Sequence, residues 1–90
     1  MATTERELEK QLKALANRRR LAILKYLKSK REASVGDIAE EISLSFKSTS
    51  KHLAVLAALD IVERDQRSLQ MFYRLAPTHP AAVRHILSLL

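Results

Sequence analysis

Apolar residues at helical spacing mark the first part of the chain and predict two helices. Thr4 followed by Glu7 matches the pattern of a helix N-cap, and the leucines behind it form one stripe of an amphipathic helix. The stripe consists of Leu8, Leu12 and Leu15. Asn17 is the expected N-cap of a second helix that runs to about Lys28, and the broad apolar face of this helix indicates burial.

A short helix, a break and a second capped helix follow over residues 34–59, which is typical of a helix-turn-helix. The first helix of this pair is predicted over residues 35–42 with Ser34 as its cap, and the break over residues 43–45. Ser45 is the predicted cap of the next helix, which extends through Leu59. At about 100° per residue, three polar side chains of that helix point away from its apolar face. They are Lys47, Ser48 and Lys51.

The periodicity then changes from helical to two, which predicts a β-hairpin over residues 61–75. The first strand opens at Ile61, a polar connection spans residues 64–68, and apolar and polar residues alternate after it. Pro80 suits the first turn of a last helix within residues 78–90. The apolar stripe of that helix is Val83, Ile86, Leu87 and Leu90.

These elements give the fold class as mainly α with a small β-hairpin. The order is four helices, two strands and a fifth helix, which is the order of a winged helix-turn-helix. A chain of 90 residues without a linker or an internal repeat predicts one domain, which spans residues 1–90.

Charge is segregated along the chain, and the formal net charge of +6 favours a polyanionic partner such as nucleic acid. Residues 17–31 hold seven basic residues and no acid, whereas residues 32–46 hold four acids and no base. Three arginines open the second helix, where positive charge opposes the helix dipole. Contact with DNA phosphate and ion pairs with Glu5, Glu40 or Glu41 are two alternative explanations for them. The three are Arg18, Arg19 and Arg20.

The sequence lacks the residues that several classes of function require. The sequence contains no cysteine, which excludes disulfides, thiolate zinc sites and cysteine nucleophiles within it. Gly36 is its one glycine, so it has no phosphate-binding loop, and no catalytic constellation assembles. His79 and His85 would point about 240° apart on one helix and could not chelate one ion within a chain, and a site shared across a dimer would lack a carboxylate from residues 66–90. We therefore expect no enzyme activity, no metal and no cofactor.

The chain is also expected to act away from membranes. No apolar run approaches the ~20 residues that a membrane span needs, and the first ten residues do not have the pattern of a signal peptide. We expect a cytoplasmic, nucleoid-associated protein.

Three segments resemble the ArsR/SmtB-type family of winged helix-turn-helix transcriptional regulators. They are LKALANRRRLAILKYL at 12–27, IAEEISLSFKSTSKHLAVLAALDIVERD at 38–65 and MFYRL at 71–75. The resemblance covers roughly residues 8–90 and is to a member without the metal-binding cysteines. The chain departs from the family pattern at Asp60, where glycine is usual, and at Phe46, where glutamine is common. Arg20 matches an arginine of that pattern, which favours a structural role for it.

The resemblance implies a homodimer built by the first and last helices, here residues 1–16 and 78–90. It also implies that the fourth helix lies in a major groove of double-stranded DNA and that the wing touches the adjacent backbone. The implied dimer contacts are apolar residues of the two end helices, which a partner would cover. They are Leu8, Leu12, Val83, Ile86, Leu87 and Leu90.

The predicted DNA contacts lie on the fourth helix and on the wing. From the helix they are Ser45, Lys47, Ser48, Ser50, Lys51 and His52, and from the wing they are Arg64, Gln66 and Arg67. Ser50 is included among the contacts because of the family resemblance. Ser45 is also the expected N-cap of the fourth helix. His52 has two open roles, contact with the DNA backbone or a local packing or capping hydrogen bond. Phe46 is expected to pack against the core, with contact to a thymine methyl group as the alternative.

Together these features predict a sequence-specific, DNA-binding transcriptional regulator. We expect a homodimeric repressor on a palindromic operator, with half-sites about one helical turn (~34 Å) apart and with steep salt dependence. The alternatives are an architectural, nucleoid-type DNA-binding protein, a winged-helix module for protein partners and a metal-sensing repressor. Neither the inducing signal nor a small-molecule effector follows from the sequence.

Overall fold

Five helices and a three-stranded antiparallel sheet form the described part of the chain, residues 3–90 of a computed structural model. In chain order the elements are α1 (Glu5–Leu15), α2 (Arg18–Lys30), β1 (Glu32–Ser34), α3 (Val35–Glu41), α4 (Phe46–Ala58), β2 (Val62–Arg67), β3 (Gln70–Leu75) and α5 (Ala81–Ser88). Residues 1 and 2, which the predicted dimerisation segment 1–16 includes, lie outside the described residues. The predicted order of helices and hairpin is confirmed, and the structure adds β1.

Side-chain caps start four of the five helices in residues 3–90 at the positions that the sequence predicts. The capping residues are Thr4, Asn17, Ser34 and Ser45, whose side-chain oxygens accept backbone N–H bonds at 3.0–3.1 Å. Each cap satisfies a donor that has no partner inside its own helix. α5 begins after Pro80 without a side-chain cap.

The sheet has the order β1-β3-β2, and β1 is the element that the sequence analysis missed. Its three residues pair with β3, with Ala33 opposite Tyr73. A segment of three residues is too short to show an alternating pattern. β1 ties the connection between α2 and α3 to the base of the wing.

The wing, β2 with β3, spans nearly the predicted residues, but its strands are longer than predicted. β2 pairs with β3 along its whole length, so the predicted polar connection over residues 64–68 is wrong. Residues 68 and 69 form the turn, and Ser68 has a left-handed φ of 55°. The polar stretch gave no strand signal because neither face of the wing tip is buried, and alternation appears only where one face is covered.

Apolar residues from all five helices and the sheet form one core. Its most deeply buried members are Ile23, Leu24, Leu27, Ile38, Leu53, Leu56, Ile61, Val62 and Val83. Burial of each such side chain is worth about 1.5–3 kcal/mol relative to exposure. α2 supplies three of these residues, which confirms the burial predicted for it, and the core fixes α4 against α2 and α3.

Val83 and Leu87 of α5 face the core of their own protomer. They are 0% and 8% exposed, and side chains with so little free surface cannot form an interface. The prediction that these two residues contact a partner is therefore wrong, because an apolar stripe shows that a face is covered but not what covers it. Nζ of Lys28 donates to the carbonyls of Leu87 and Leu90 at 2.9 and 3.0 Å and holds the end of α5 against α2.

Asp60 makes the turn from α4 into the wing with a left-handed φ of 57°. The N–H of Asp60 donates to Ala57 at 3.0 Å, and the N–H of Ile61 donates to Leu56 at 3.0 Å. Aspartate tolerates this conformation better than most residues with a Cβ atom. The turn thus forms without the glycine that is usual in the family that the sequence resembles.

Candidate nucleic-acid interface

α4 presents one buried face and one polar face. The buried face consists of Thr49, Leu53 and Leu56, which fix the rotation of the helix on the core. Lys47 and Lys51 are exposed on the other side, as the helical spacing predicts. Ser48 and Ser50 are half-buried between the two faces.

The N-terminus of α4 is suited to negatively charged groups. Ser45 is exposed, and its Oγ accepts from the N–H of Ser48 at 3.1 Å, so the predicted cap is confirmed. The first turn contains no acidic residue, and Lys47 adds to the positive end of the helix dipole. This end can therefore meet a phosphate or the acceptor atoms of a base edge.

Phe46, the first residue of α4, is 63% exposed, so the expectation that it packs against the core is wrong. Helical side chains lean towards the N-terminus of their helix. At the first helical position that direction leads past the end of the helix, and the buried face of α4 begins at Thr49. The ring lines a small cleft with Leu69 and Met71 of the wing.

His52 is half-buried and faces α2. Its Nδ1 lies 3.1 Å from Nη1 of Arg20. Burial lowers the pKa of His52, and the positive charges of Arg20 and Arg19 lower it further. His52 therefore makes a structural hydrogen bond, but to a residue 32 positions away and not within its own segment as considered from the sequence. Contact with DNA through the other ring nitrogen stays a prediction.

Arg18 and Arg19 do not form the ion pairs that the sequence analysis considered. The salt bridges within residues 3–90 involve one lysine of α1 and two arginines of the wing. Arg18 and Arg19 instead line an open groove of about 660 Å³ between α2 and the end of α3, together with Lys25 and the carboxylate of Glu41, to which no salt bridge forms. Their positive charge is available to a ligand outside the protomer.

The wing separates its polar residues onto two faces. Arg64 and Gln66 lie on the face of β2 that continues from the buried Val62, because side chains alternate along a strand. Arg64 is exposed, and Nε2 of Gln66 donates to the carbonyl of Ser68 at 3.0 Å. Both residues lie on β2 of the wing, and the DNA contacts predicted for them stay predictions.

Arg67 lies on the opposite face of the wing and is bound to carboxylates. Its guanidinium donates to both oxygens of Glu32 at 2.8 and 2.9 Å and to Asp65 at 2.9 Å, 4.6 Å above the ring of Phe72. These bonds raise the pKa of Arg67 and lower the pKa of Glu32. Because three of the five guanidinium donors of Arg67 are already bound to carboxylates, we place it in the sheet and no longer at the DNA contact predicted for it. Glu32 belongs to the strand that the sequence analysis missed.

Residues 3–90 contain neither a metal cluster nor a membrane-spanning helix. No three of their His, Cys, Asp and Glu side chains come together closely enough to hold an ion. Nε2 of His79 lies 2.9 Å from the carbonyl of Ile61, which fastens the chain before α5 to the start of β2. None of the helices combines the length and apolar character that crossing a bilayer requires.

An apolar surface lies on α1 and at the end of α5, two helices that pack against each other. Leu8 and Leu12 are 36% and 47% exposed and line a shallow groove on α1. Ile86 and Leu90 are half-buried, and Leu89, which was not among the predicted contacts, is 68% exposed. Apolar surface of this kind is typical of protein interfaces.

Comparison with known proteins relates this arrangement to DNA-binding regulators. The profile of a helix-turn-helix domain family matches residues 15–65, which include all of α3 and α4. The transcriptional activator HlyU of Vibrio cholerae serotype O1 is 38% identical over 76 residues, which are 84% of this chain and 69% of that protein.

The solved structures that share the fold include HlyU and a DNA-binding domain from Mycobacterium bovis. Reduced HlyU from Vibrio cholerae is 34% identical with a TM-score of 0.79, over 94% of this chain and 85% of that one. The other is a homodimeric winged helix-turn-helix DNA-binding domain of a possible ArsR-family transcriptional regulator from Mycobacterium bovis, solved in solution by NMR. It is 27% identical with a TM-score of 0.76, over 99% of this chain and 84% of that one. These relatives are regulators of transcription and not enzymes.

Proposed function

Because the chain belongs to the ArsR-type family of winged helix-turn-helix transcriptional regulators, we propose that it binds a palindromic operator in duplex DNA as a homodimer. The observation that carries this proposal is the first part of α4. Lys47 and Lys51 are exposed there, the first turn holds no acid, and the opposite face is locked into the core. A helix fixed in this way can present its N-terminal residues to a major groove.

The proposed contacts divide into two kinds. Lys47, Ser48, Ser50 and Lys51 face base edges and phosphates in the major groove, and Nε2 of His52 donates to the backbone. Arg64 and Gln66 of the wing reach the neighbouring backbone. Arg18 and Arg19, which have no carboxylate partner in the described chain, add phosphate contacts at the start of α2.

The proposed dimer uses the exposed apolar residues of α1 together with the end of α5. Leu8, Leu12, Ile86, Leu89 and Leu90 supply the surface, and a two-fold axis would bring two copies of it together. The similarity to a domain described as homodimeric supports this arrangement. Two protomers would then place their α4 helices about one turn of DNA, ~34 Å, apart.

The proposed effect on transcription is repression by occlusion where the operator overlaps a promoter. A dimer that covers the major groove on one face of the DNA prevents another protein from binding the same bases. The Vibrio relative is named an activator, so the position of the operator would set the sign of regulation. The protein would act in the cytoplasm, where a bacterial chromosome lies.

Selection of bound sequences from random duplex DNA tests the proposed function. We expect enrichment of one palindrome with half-sites about one helical turn apart. A variant that combines K47A with K51A should enrich it weakly or not at all. Binding of all sequences alike would support an architectural role, and the absence of salt-sensitive binding would contradict DNA binding altogether.

A further inference from the structure

Phe46 is an apolar side chain without a covering partner at the end of the helix that the proposed function places in DNA. It exposes 63% of its surface, directly beside the exposed Lys47. Exposed Leu69 lines the same cleft as Phe46, and adjoining apolar groups rimmed by polar residues commonly mark binding surfaces. The question is therefore which ligand would cover it.

The protomer itself leaves the ring open. Phe46 lines a cleft of about 140 Å³ with Val35 of α3 and with Leu69 and Met71 of the wing. Leu69 is 97% exposed, so the wing tip does not close over the ring. The free protein thus keeps apolar surface available at the first turn of α4, the part of a recognition helix that contacts base edges.

The major groove offers one apolar group that matches this surface. Thymine presents a C5 methyl group there, whereas recognition of the other bases relies on hydrogen-bond donors and acceptors, which a phenyl ring cannot engage. We propose that Phe46 is a specificity-determining residue that packs against a thymine methyl group in each operator half-site. This inference rests on the proposed function, since it requires α4 to lie in the major groove.

Deoxyuridine provides the test, because it differs from thymidine only by the missing methyl group. In the operator obtained by selection, each thymine is replaced in turn at the symmetric positions of both half-sites, and binding of the full chain is measured by fluorescence anisotropy. For the wild type we expect one position at which the replacement weakens binding about fourfold per half-site. This is the change in the binding constant expected when one buried carbon group is lost. F46A and F46Q should bind the thymine and uracil operators equally at that position.

L69A is the matched control, since it also removes an exposed apolar side chain, but from the wing. It should keep the wild-type sensitivity to deoxyuridine. Because Phe46 is exposed, F46A and F46Q should unfold at the wild-type temperature, which circular dichroism can verify.

The outcomes separate the two proposals. If the wild type binds no duplex DNA, the proposed function is wrong and the inference about Phe46 falls with it. If the wild type binds its selected operator but no deoxyuridine weakens binding, Phe46 does not read a methyl group. The same conclusion follows if F46A retains the wild-type sensitivity, and in both cases the proposed function stands.

Discussion

The guanidinium of Arg20 lies 3.1 Å from Nδ1 of His52 and joins the start of α2 to the middle of α4. A guanidinium has donors and no acceptor, so Nδ1 of His52 accepts and the proton of the neutral ring resides on Nε2. Nε and Nη2 of Arg20 donate to the carbonyls of Ala14 and Lys13 at 2.6 and 3.3 Å. One side chain thus links the C-terminal end of α1, the start of α2 and the candidate recognition helix.

This arrangement predicts that R20A is destabilised by about 2 kcal/mol. Hydrogen bonds from a charged donor are worth about 1.5–3 kcal/mol, and the partial exposure of this site places the loss towards the lower end. For a domain of this size the melting temperature should fall by roughly 10 °C, measured by circular dichroism at constant protein concentration. R20K keeps the charge but loses the planar fork, so it should be nearly as unstable.

R18A is the control for this prediction, because it removes the same side chain from the same turn of α2. Arg18 is exposed and lies at a helix end where positive charge is unfavourable. Its removal should change stability by less than about 0.5 kcal/mol. Equal melting temperatures for R18A and R20A would show that the bonds of Arg20 contribute nothing to stability.

A second prediction concerns pH. Burial and the charges of Arg20 and Arg19 lower the pKa of His52 below its usual 6.5, so the unfolded chain takes up this proton at a higher pH than the folded protein. The contribution to stability is complete above about pH 6.5 and is lost as the pH falls towards the lowered pKa.

H52N isolates this effect, because an asparagine Oδ1 can accept from Arg20 but does not titrate in this range. Urea unfolding at pH 7.5 and 5.5 should therefore show a larger loss of unfolding free energy for the wild type than for H52N. All other titrating groups are common to the two proteins and cancel in the comparison. The same loss in both would mean that His52 is as easily protonated in the folded state as in the unfolded chain.

Local patterns in the sequence were sufficient to predict the helices, because the interactions that start and orient a helix lie within one or two turns. Ser45 bonds to an N–H three residues later, and the exposure of Lys47 and Lys51 follows from the period of α4 alone. The caps and the candidate lysines could therefore be placed without tertiary information.

Contacts between distant segments leave no such signal. Arg67 pairs with Glu32 across 35 residues, and Arg20 pairs with His52 across 32. Neither pairing produces a periodic pattern, so the commitment of Arg67 to the sheet could not be foreseen. The prediction that Phe46 packs against the core was wrong for a different reason. A spacing of about 100° per residue gives the position around the helix but not the direction in which the first side chain leans.

Thr49 offers a third prediction, because its side chain is completely buried and its hydroxyl has no hydrogen-bond partner within residues 3–90. A buried hydroxyl without a partner costs about 1–3 kcal/mol, and valine has the same shape without that group. T49V should therefore raise the unfolding free energy by about 1 kcal/mol in urea titrations. T78V, at an exposed threonine, is the control and should leave stability unchanged. A destabilised T49V would mean that the hydroxyl makes a bond in the folded protein.

The lysines of α4 provide a prediction about salt dependence. Each phosphate contact contributes about 0.9 to the slope of log K against log salt concentration, and a homodimer carries every contact twice. K47A and K51A should therefore each reduce the slope by about 1.8, measured by anisotropy with the selected operator over a range of KCl concentrations. K10A changes the net charge equally but lies on α1, so it should leave the slope close to that of the wild type. If all variants have the same slope of log K against log salt concentration, neither lysine contacts a DNA phosphate.

The exposed leucines of α1 make the dimer testable. Leu12 is 47% exposed in a groove on α1, and a carboxylate there would have to be desolvated in any interface that covers it. L12E should therefore sediment with the mass of one protomer at micromolar concentration, where the wild type sediments as two, and its melting temperature should no longer rise with protein concentration. L69E places the same charge on a leucine of the wing that is 97% exposed, and it should remain a dimer. If L12E remains dimeric, the two protomers meet through a different surface, and the spacing expected for the half-sites loses its basis.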